Sequence, residues 1–406
     1  MQIKLIKTAS PATAVAGQTS TVCEPSVGVR GNSIFYTGNW FAAKSTDNGA
    51  NWTFISPYTQ LAPPGSLQFC CDQTVIYDPS RKLTIWLLQY SADATGENVL
   101  RVAVNKSTTL ADNGWYWWDL KPSLNIKWKA QWFDYNHAAL SSNYLYVGTN
   151  VFNSSNKFTR GLVFRLSLDE LANSASNLKF DHFESTSFSL RCTQGATGTM
   201  YFGSQRSDKE LNVFEWKESS KVVKEYHVPV TAFKNGTYTA NCPDGRNWLN
   251  RCDERITGAW VSKGVIGFMW TANKQAGRPY PFVRVVRITA SNMTKLDEPD
   301  IWSPNLAYAY PDSSPNADGT VGISILFGGG TKYPSHAVGA FDDATKKWVL
   351  QVNQSGTHTS ADLKWGDYVT CRQHSPSTKT WAASGFILKG GSSRTSIQPL
   401  YVQFGL

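Results

Sequence analysis

One pattern recurs seven times along the chain: a polar lead-in, an apolar strand-like run, a tight turn, and a second apolar run that ends polar. It appears as EPSVGVRGNSIFYTGNW, CCDQTVIYDPSRKLTIWLLQY, WFDYNHAALSSNYLYVGTN, LRCTQGATGTMYFGSQR, RCDERITGAWVSKGVIGFMWTAN, the run from Tyr310 to Gly329, and WGDYVTCRQHSPSTKTWAASGF. Copies lie roughly 45 to 65 residues apart, and two further strand-like runs follow nearly every one. Four short strands per unit at that period describe an all-β, seven-bladed β-propeller, whose blades pack face to face round a central channel. The seventh unit ends early, at SIQPLYVQFGL, one strand short, and QIKLIKT at the N-terminus is a spare strand. The N-terminal strand is therefore expected to close the last blade, which would tie the termini together and cover an open sheet edge. Residues 1–406 then form one domain, larger than a single ordinary core because the architecture grows by repetition.

Composition agrees with a turn-rich β protein. The chain holds 31 Gly and 18 Pro with 17% charged residues, which excludes disorder. LSLDELANSA, from Leu166 to Ala175, is the best helical candidate and spans barely two turns. Aromatic residues make up 13%, with 16 Trp, more than a core needs, and exposed rings of this kind suit the flat apolar faces of sugars.

A formal charge of +9 favours polyanions. The basic residues are scattered, with no run of the nucleic-acid type, so an acidic oligo- or polysaccharide fits better than nucleic acid. No apolar stretch reaches the roughly 18 to 20 residues of a membrane span. Seven Cys and six N-x-S/T sequons, at Asn51, Asn105, Asn153, Asn235, Asn292 and Asn353, favour a secreted, oxidised setting. The start, MQIKLIKTAS, lacks the apolar core of a signal peptide and reads as a mature form with an added Met. Cys242 and Cys252 flank a short loop that a disulfide would tie; Cys70 and Cys71 are adjacent, and direct joining would strain the backbone, so at least one is expected to pair elsewhere or stay free. A monomer without cofactor is expected.

Ser45-Thr46-Asp47-Asn48-Gly49-Ala50-Asn51-Trp52 has turn formers at fixed offsets: Ser and Asp side chains accept backbone N–H groups, Gly49 supplies a positive φ, and Trp52 plugs the blade. This is S-x-D-x-G-x-x-W, the Asp-box, and on it the chain resembles the sialidase-like (BNR/Asp-box) propeller superfamily. The resemblance implies a propeller whose box sits on a blade periphery, away from any active site.

In a propeller the inner-strand starts and the ends of the second strands converge on one mouth of the channel. The inner-strand starts offer Glu24, Asp72, Gln73, Asp134, Tyr135, His137, Arg191, Asp253, Glu254, Arg255, Tyr310, Asp312, Asp367 and Tyr368. The second-strand ends offer Asn39, Trp40, Gln89, Tyr90, Asn150, Arg206, Trp270, Asn273 and Lys274. For each, the alternative is a hydrogen bond or ion pair that clips neighbouring blades. WFDYNH stands out, since strand alternation sends Tyr135 and His137 to one side. With His137 and Tyr135 moving protons and Arg206, Arg191 and Arg255 holding a carboxylate, that mouth suits abstraction of the C5 proton of a uronate. Asp72, Asp134, Asn150, Tyr310, Trp270 and His336 complete the expected binding set. Metal ligation lacks support: no spaced Cys/His set exists, and the turn-like segment from Asp312 to Gly319 lacks the periodicity of a calcium loop.

A sialidase would show an early R-I-P segment; this chain has EPSVGVRG there. Size, secretion signs, seven blades and the Arg/His/Tyr mouth are similar to fungal lyases that release rhamnose from glucuronate. The leading expectation is a uronate-cleaving polysaccharide lyase. The alternatives are a sialidase-like hydrolase, which needs two carboxylates at the bond, and a lectin, which would repeat one pocket in every blade.

Overall fold

A computed structural model describes residues 1–406: twenty-eight strands form seven four-stranded antiparallel sheets, the expected seven-bladed propeller. Blades 1 to 6 each take four consecutive strands, the first lying innermost: Ser26–Arg30, Phe69–Asp78, Gln131–Leu140, Arg191–Cys192, Ile256–Ser262 and Ala307–Pro315. Blade 7 is composite. Thr370–Gln373, Trp381–Leu388 and Ile397–Gly405 pair in order, and Lys4–Ala9 adds the fourth strand, with Lys4 opposite Gly405 and Ala9 opposite Tyr401.

The inner and middle strands are buried on both faces, so they read as apolar runs; Leu83–Tyr90 and Trp381–Leu388 are buried throughout. Outer strands such as Phe180–Ser185 alternate between half-buried and exposed residues. Each fully buried Leu, Ile or Phe contributes about 2 kcal/mol by removal from water. Trp381 shows the packing between blades: its ring stacks on Phe404 at 5.0 Å, and its Nε1–H donates to the Ser314 carbonyl of blade 6 at 2.8 Å. Emptying that site with Ala would cost about 3–5 kcal/mol.

Small polar side chains sew the inner strands into a ring. Ser26 Oγ bonds Val75 N and O, Thr74 Oγ1 donates to Asn136 O, Gln194 Nε2 to Ala138 O, Thr257 Oγ1 to Pro311 O, and Val27 N–H to Thr370 Oγ1; Gln194 N–H to Ala259 O and Cys371 N–H to Asp312 Oδ2 supply the two remaining joints. These bonds satisfy buried groups that would otherwise be orphaned at the channel wall.

The inner strands are not regular where they begin. In blade 3 Asp134 opposes Asn150, but the next pair is His137 with Gly148, which leaves one extra residue; Tyr135 there has φ +56°. Blade 6 repeats this between Ala309 and Asp312, with Tyr310 at φ +53°. Blade 2 goes from the pair Phe69–Tyr90 to Gln73–Leu88, so Cys70, Cys71 and Asp72 together face the single residue Gln89. Such bulges reset the alternation of side chains along a strand.

Several local expectations meet the structure here. Ser45 Oγ accepts Gly49 N–H at 2.8 Å, Asp47 Oδ1 accepts Asn51 N–H at 2.8 Å, and Trp52 packs edge-on to Tyr36, between the outer strands of blade 1. The helix shrinks to Leu168–Ala172, capped by Ser167. Two cysteine expectations are corrected. Cys242 and Cys252 are free, and backbone bonds between Cys242, Gly245 and Arg246 close the turn after Cys242; Cys70 and Cys71 are bonded to each other, within the blade 2 bulge. Among the sequons, Asn105 is fully buried, with its amide donating to Ala111 O, and is closed to a glycan. No helix is long and apolar enough to cross a membrane.

Candidate active site

The irregular strand starts converge on a cavity of about 450 Å³ at one mouth of the channel. Glu24 arrives from the segment before blade 1, Asp72 and Cys71 from the blade 2 bulge, Asp134 and Tyr135 from the blade 3 bulge, Arg251 and Arg255 from the approach to blade 5, and Asp367 from the approach to blade 7. Asn39, Trp40, Asn150, Phe152, Phe188, Asp362, Lys364 and Arg394 also line it.

Acids outnumber bases here. Arg255 is held by Asp253, Nε to Oδ1 at 2.8 Å, and its guanidinium lies 4.4 Å from the Tyr135 ring centroid. Arg251 Nη2 reaches Asp367 Oδ2 at 3.2 Å. Both guanidinium groups are thus already neutralised, while Glu24, Asp72 and Asp134 have none of their own. Glu24 instead accepts from Asn39 Nδ2 at 2.9 Å, and Asp134 from Gln89 Nε2 at 2.9 Å. Burial first, then the charges of Asp72 and Asp367, raise the Glu24 carboxyl well above the usual carboxylate range. Asp72 is pushed up to about 7, by burial and then by Asp134. Asp134 is raised too, again by burial. Burial and mutual repulsion therefore favour the protonated forms of these carboxyls.

Three polar atoms of this wall are buried without a partner: Asn39 Oδ1, Tyr135 Oη and Asp367 Oδ1. Orphaned polar atoms at a cavity are the places where a ligand completes the hydrogen bonding. No group of three or more His, Cys, Asp or Glu side chains stands in an arrangement that would hold a metal ion.

Nine of the residues nominated from sequence meet in this cavity: Glu24, Asn39, Trp40, Asp72, Asp134, Tyr135, Asn150, Arg255 and Asp367. Tyr310 lies beside Arg251, Arg255 and Asp367 in a smaller recess, its hydroxyl donating to Trp365 O at 3.1 Å. The others lie elsewhere. His137 does not share a side with Tyr135, because the bulge between them breaks the alternation: its ring sits against Gly148, where a Cβ would come within 2.2 Å, and Nε2 accepts Cys192 N–H at 3.2 Å. Burial and the nearby Arg191 and Arg372 hold its pKa well below the ordinary imidazole value. Arg191 is buried deeper in the channel on Asp312 at 2.8 Å, and Arg372 takes the other Asp312 oxygen. His336 fills a comparable pit against Gly385, bonded to Ser324 and Asn353. Trp270 is fully buried against Phe233. Arg206 is exposed on blade 4, paired with Glu210 at 3.0 Å and touching His227.

Sequence reasoning passed over Arg251, Arg394, Phe152 and Phe188. Arg251 opens the fifth repeat, RCDER, and Phe152 follows Asn150 by two, so both had the same positional signal as their neighbours.

No family model matches the chain, and no curated protein matches it. Among solved structures it is similar to the α-L-arabinofuranosidase of Fusarium graminearum bound to arabinobiose, at 9% identity and TM-score 0.46, covering 95% of this chain and 94% of that one. A protein of unknown function from Dyadobacter fermentans gives 9% and 0.46, over 100% and 99% of the two chains. The Trypanosoma rangeli sialidase in complex with sialic acid gives 8% and 0.41, over 88% and 55%. At such identities and scores no activity transfers from these proteins.

Proposed function

We propose that the chain is a glycoside hydrolase acting on a glycan in the mouth cavity. The observation that carries this is the meeting of Glu24, Asp72, Asp134 and Asp367 in one cavity, with Asp72 poised to hold a proton near pH 7 and Asp367 Oδ1 left free. Glycosidic cleavage needs two such groups, one to protonate the leaving oxygen and one to act on the opposite side of the sugar, directly or through water. Asp72, its proton shared with Glu24, is the acid. Asp367, whose other oxygen is pinned by Arg251, is the base or nucleophile. Tyr135 Oη and Asn150 supply hydrogen bonds, and Trp40, Phe152 and Phe188 offer ring faces to the sugar.

Acidic substrate, the sequence expectation, loses the three arginines nominated for it: Arg191 and Arg255 are held by Asp312 and Asp253, and Arg206 lies on the surface of blade 4. Arg251 is likewise occupied by Asp367, so a uronate would have to be met by Arg394 and Lys364, which line the cavity without a carboxylate partner. Elimination also loses His137 as its base. A lyase remains as the second reading on one observation, the unpartnered Tyr135 hydroxyl beside Arg255.

A panel of neutral and uronate-containing glycans separates the two by product chemistry. Hydrolysis releases reducing ends without ultraviolet absorbance and is lost in Asp72→Asn and Asp367→Asn. Elimination gives an absorbing C4=C5 double bond and is lost in Tyr135→Phe. Binding without turnover on every glycan would leave a lectin.

A further inference from the structure

We propose that the Cys70–Cys71 disulfide is a positioning device for the carboxylates of the mouth, so that the site is competent only while this bond is oxidised. The inference rests on the hydrolase reading for its activity, though not for its geometry.

The disulfide sits where the strand departs furthest from regular pairing. Between the pairs Phe69–Tyr90 and Gln73–Leu88, three residues of the inner strand face one residue of its neighbour. That three-residue arch is Cys70, Cys71 and Asp72, and its last member is the proposed acid. An arch of this size has no ladder bonds to fix it. A disulfide between adjacent residues closes a small ring through the backbone itself, which removes the torsional freedom that the missing ladder bonds would have restrained.

Its surroundings tie it to the second carboxylate. Gln89, the lone residue opposite the arch, places Nε2 at 3.8 Å from Cys71 Sγ while donating to Asp134 Oδ1 at 2.9 Å. The ring thus abuts the side chain that orients Asp134 and is continuous with the backbone that presents Asp72. Cys71 also lines the cavity, and both cysteines are half-buried, whereas Cys23, Cys192, Cys242 and Cys371 are buried and Cys252 partly so. A small reductant therefore reaches this bond through the same opening as a substrate.

Reduction is a two-electron step: with a trialkylphosphine and water, the S–S bond gives two thiols and the phosphine becomes its oxide. The arch then gains freedom, and a displacement of about 1 Å at a catalytic group is enough to cost on the order of 100-fold in rate. The fold should persist, because the regular pairing of blade 2 from Gln73 to Asp78 and the closure through Lys4–Ala9 do not depend on this bond.

The test uses the intact chain in three forms: oxidised, phosphine-reduced with the two new thiols alkylated and counted by mass, and Cys70→Ser/Cys71→Ser. Carboxyl titration by infrared difference spectroscopy, with Asp72→Asn to assign the band, reads the site without substrate. Expected is an Asp72 band titrating near neutrality in the oxidised protein that moves by about one pH unit or more in the other two forms. Glycoside turnover should fall about tenfold or more in both, with circular dichroism unchanged, and return when reduced, unalkylated protein is reoxidised. If the double variant does not fold, the reduced wild type decides. An unmoved Asp72 band, or an unchanged pH–rate profile after reduction, overturns the inference and leaves the hydrolase reading standing. A moved band with no glycoside cleaved in any form does the reverse.

Discussion

Two clusters of aspartate and arginine share the channel, and they differ in how completely they are satisfied. In the deeper one, Asp312 gives one oxygen to Arg191, the other to Arg372 and to Cys371 N–H, and is itself fully buried. At the mouth, the guanidinium groups of Arg251 and Arg255 meet a larger set of carboxylates, protonated carboxyls are favoured, and Asp367 Oδ1 and Tyr135 Oη lack partners. The same residue types therefore do opposite things. A network in which both Asp312 oxygens are taken, and only Arg372 Nε lacks a partner, holds blades 4, 6 and 7 together; an open one, next to a cavity, is left with unused hydrogen-bonding capacity for a substrate.

Substitution at the mouth should give the largest effect, and on activity. Asp72→Asn keeps the shape of the side chain and removes the transferable proton, so turnover should fall by about 100- to 10,000-fold. Because it also removes one member of a crowded acidic group, urea unfolding at pH 7 should show no loss of stability. A variant that keeps its rate would dissolve the contrast between the clusters.

The mirror experiment is Asp312→Ala. It strands two buried guanidinium groups, and breaking a buried pair in this way costs about 3–5 kcal/mol. Urea midpoints shifted by a corresponding amount, against an undisturbed Asp72→Asn, would place stability in the deeper cluster and chemistry in the upper one. Equal loss in both variants would mean that the mouth is structural too.

The pH dependence sharpens the same point. Asp72 titrates near pH 7 when folded but at about 4 in an unfolded chain. Between those values the unfolded chain has released a proton that the folded protein keeps. The stability this group gives is therefore full below about pH 4 and is lost as pH rises through about 7. Glu24 shifts in the same direction. Stability should decline from pH 5 to pH 8, and Asp72→Asn should flatten part of that slope in denaturant titrations across the range. An unchanged slope would mean that Asp72 is not the retained acid.

What the sequence made legible follows the same division. Blade number, strand order and the N-terminal strand on Ile397–Gly405 were readable because each depends on repeated patterns tens of residues long. The mouth was partly readable: Glu24, Asp72, Asp134, Tyr135, Arg255 and Asp367 all sit at the inner-strand starts, where position alone selects them. Single-residue steps were not readable. One extra residue between Asp134 and His137 turns His137 into the blade, and nothing in WFDYNH distinguishes a bulge from a regular strand. Asp312 and Asp72 look equivalent in their repeats as well. Only the arginines that the fold brings to Asp312, from Arg191 and Arg372 far along the chain, separate them. The pairing of Cys70 with Cys71 is not legible either, because the arch that holds them shows only in the strand register.

The smallest effect concerns the two arginines that sequence position treats alike. Arg206 and Arg255 both flank the mouth in their repeats, yet Arg206 has a side chain 45% exposed and its partners, Glu210 and His227, are surface residues of the same blade. An exposed pair of this kind contributes about 0–1 kcal/mol, and nothing reactive depends on it. Arg206→Ala should leave turnover and the urea midpoint within error of the unaltered protein. Arg255→Ala takes the cation away from Asp253 and from the Tyr135 ring, and should raise KM as well as lower stability. Were Arg206→Ala to abolish cleavage while Arg255→Ala did not, the substrate would have to lie across blade 4 instead of in the cavity, and the chemistry assigned to the upper cluster would move with it.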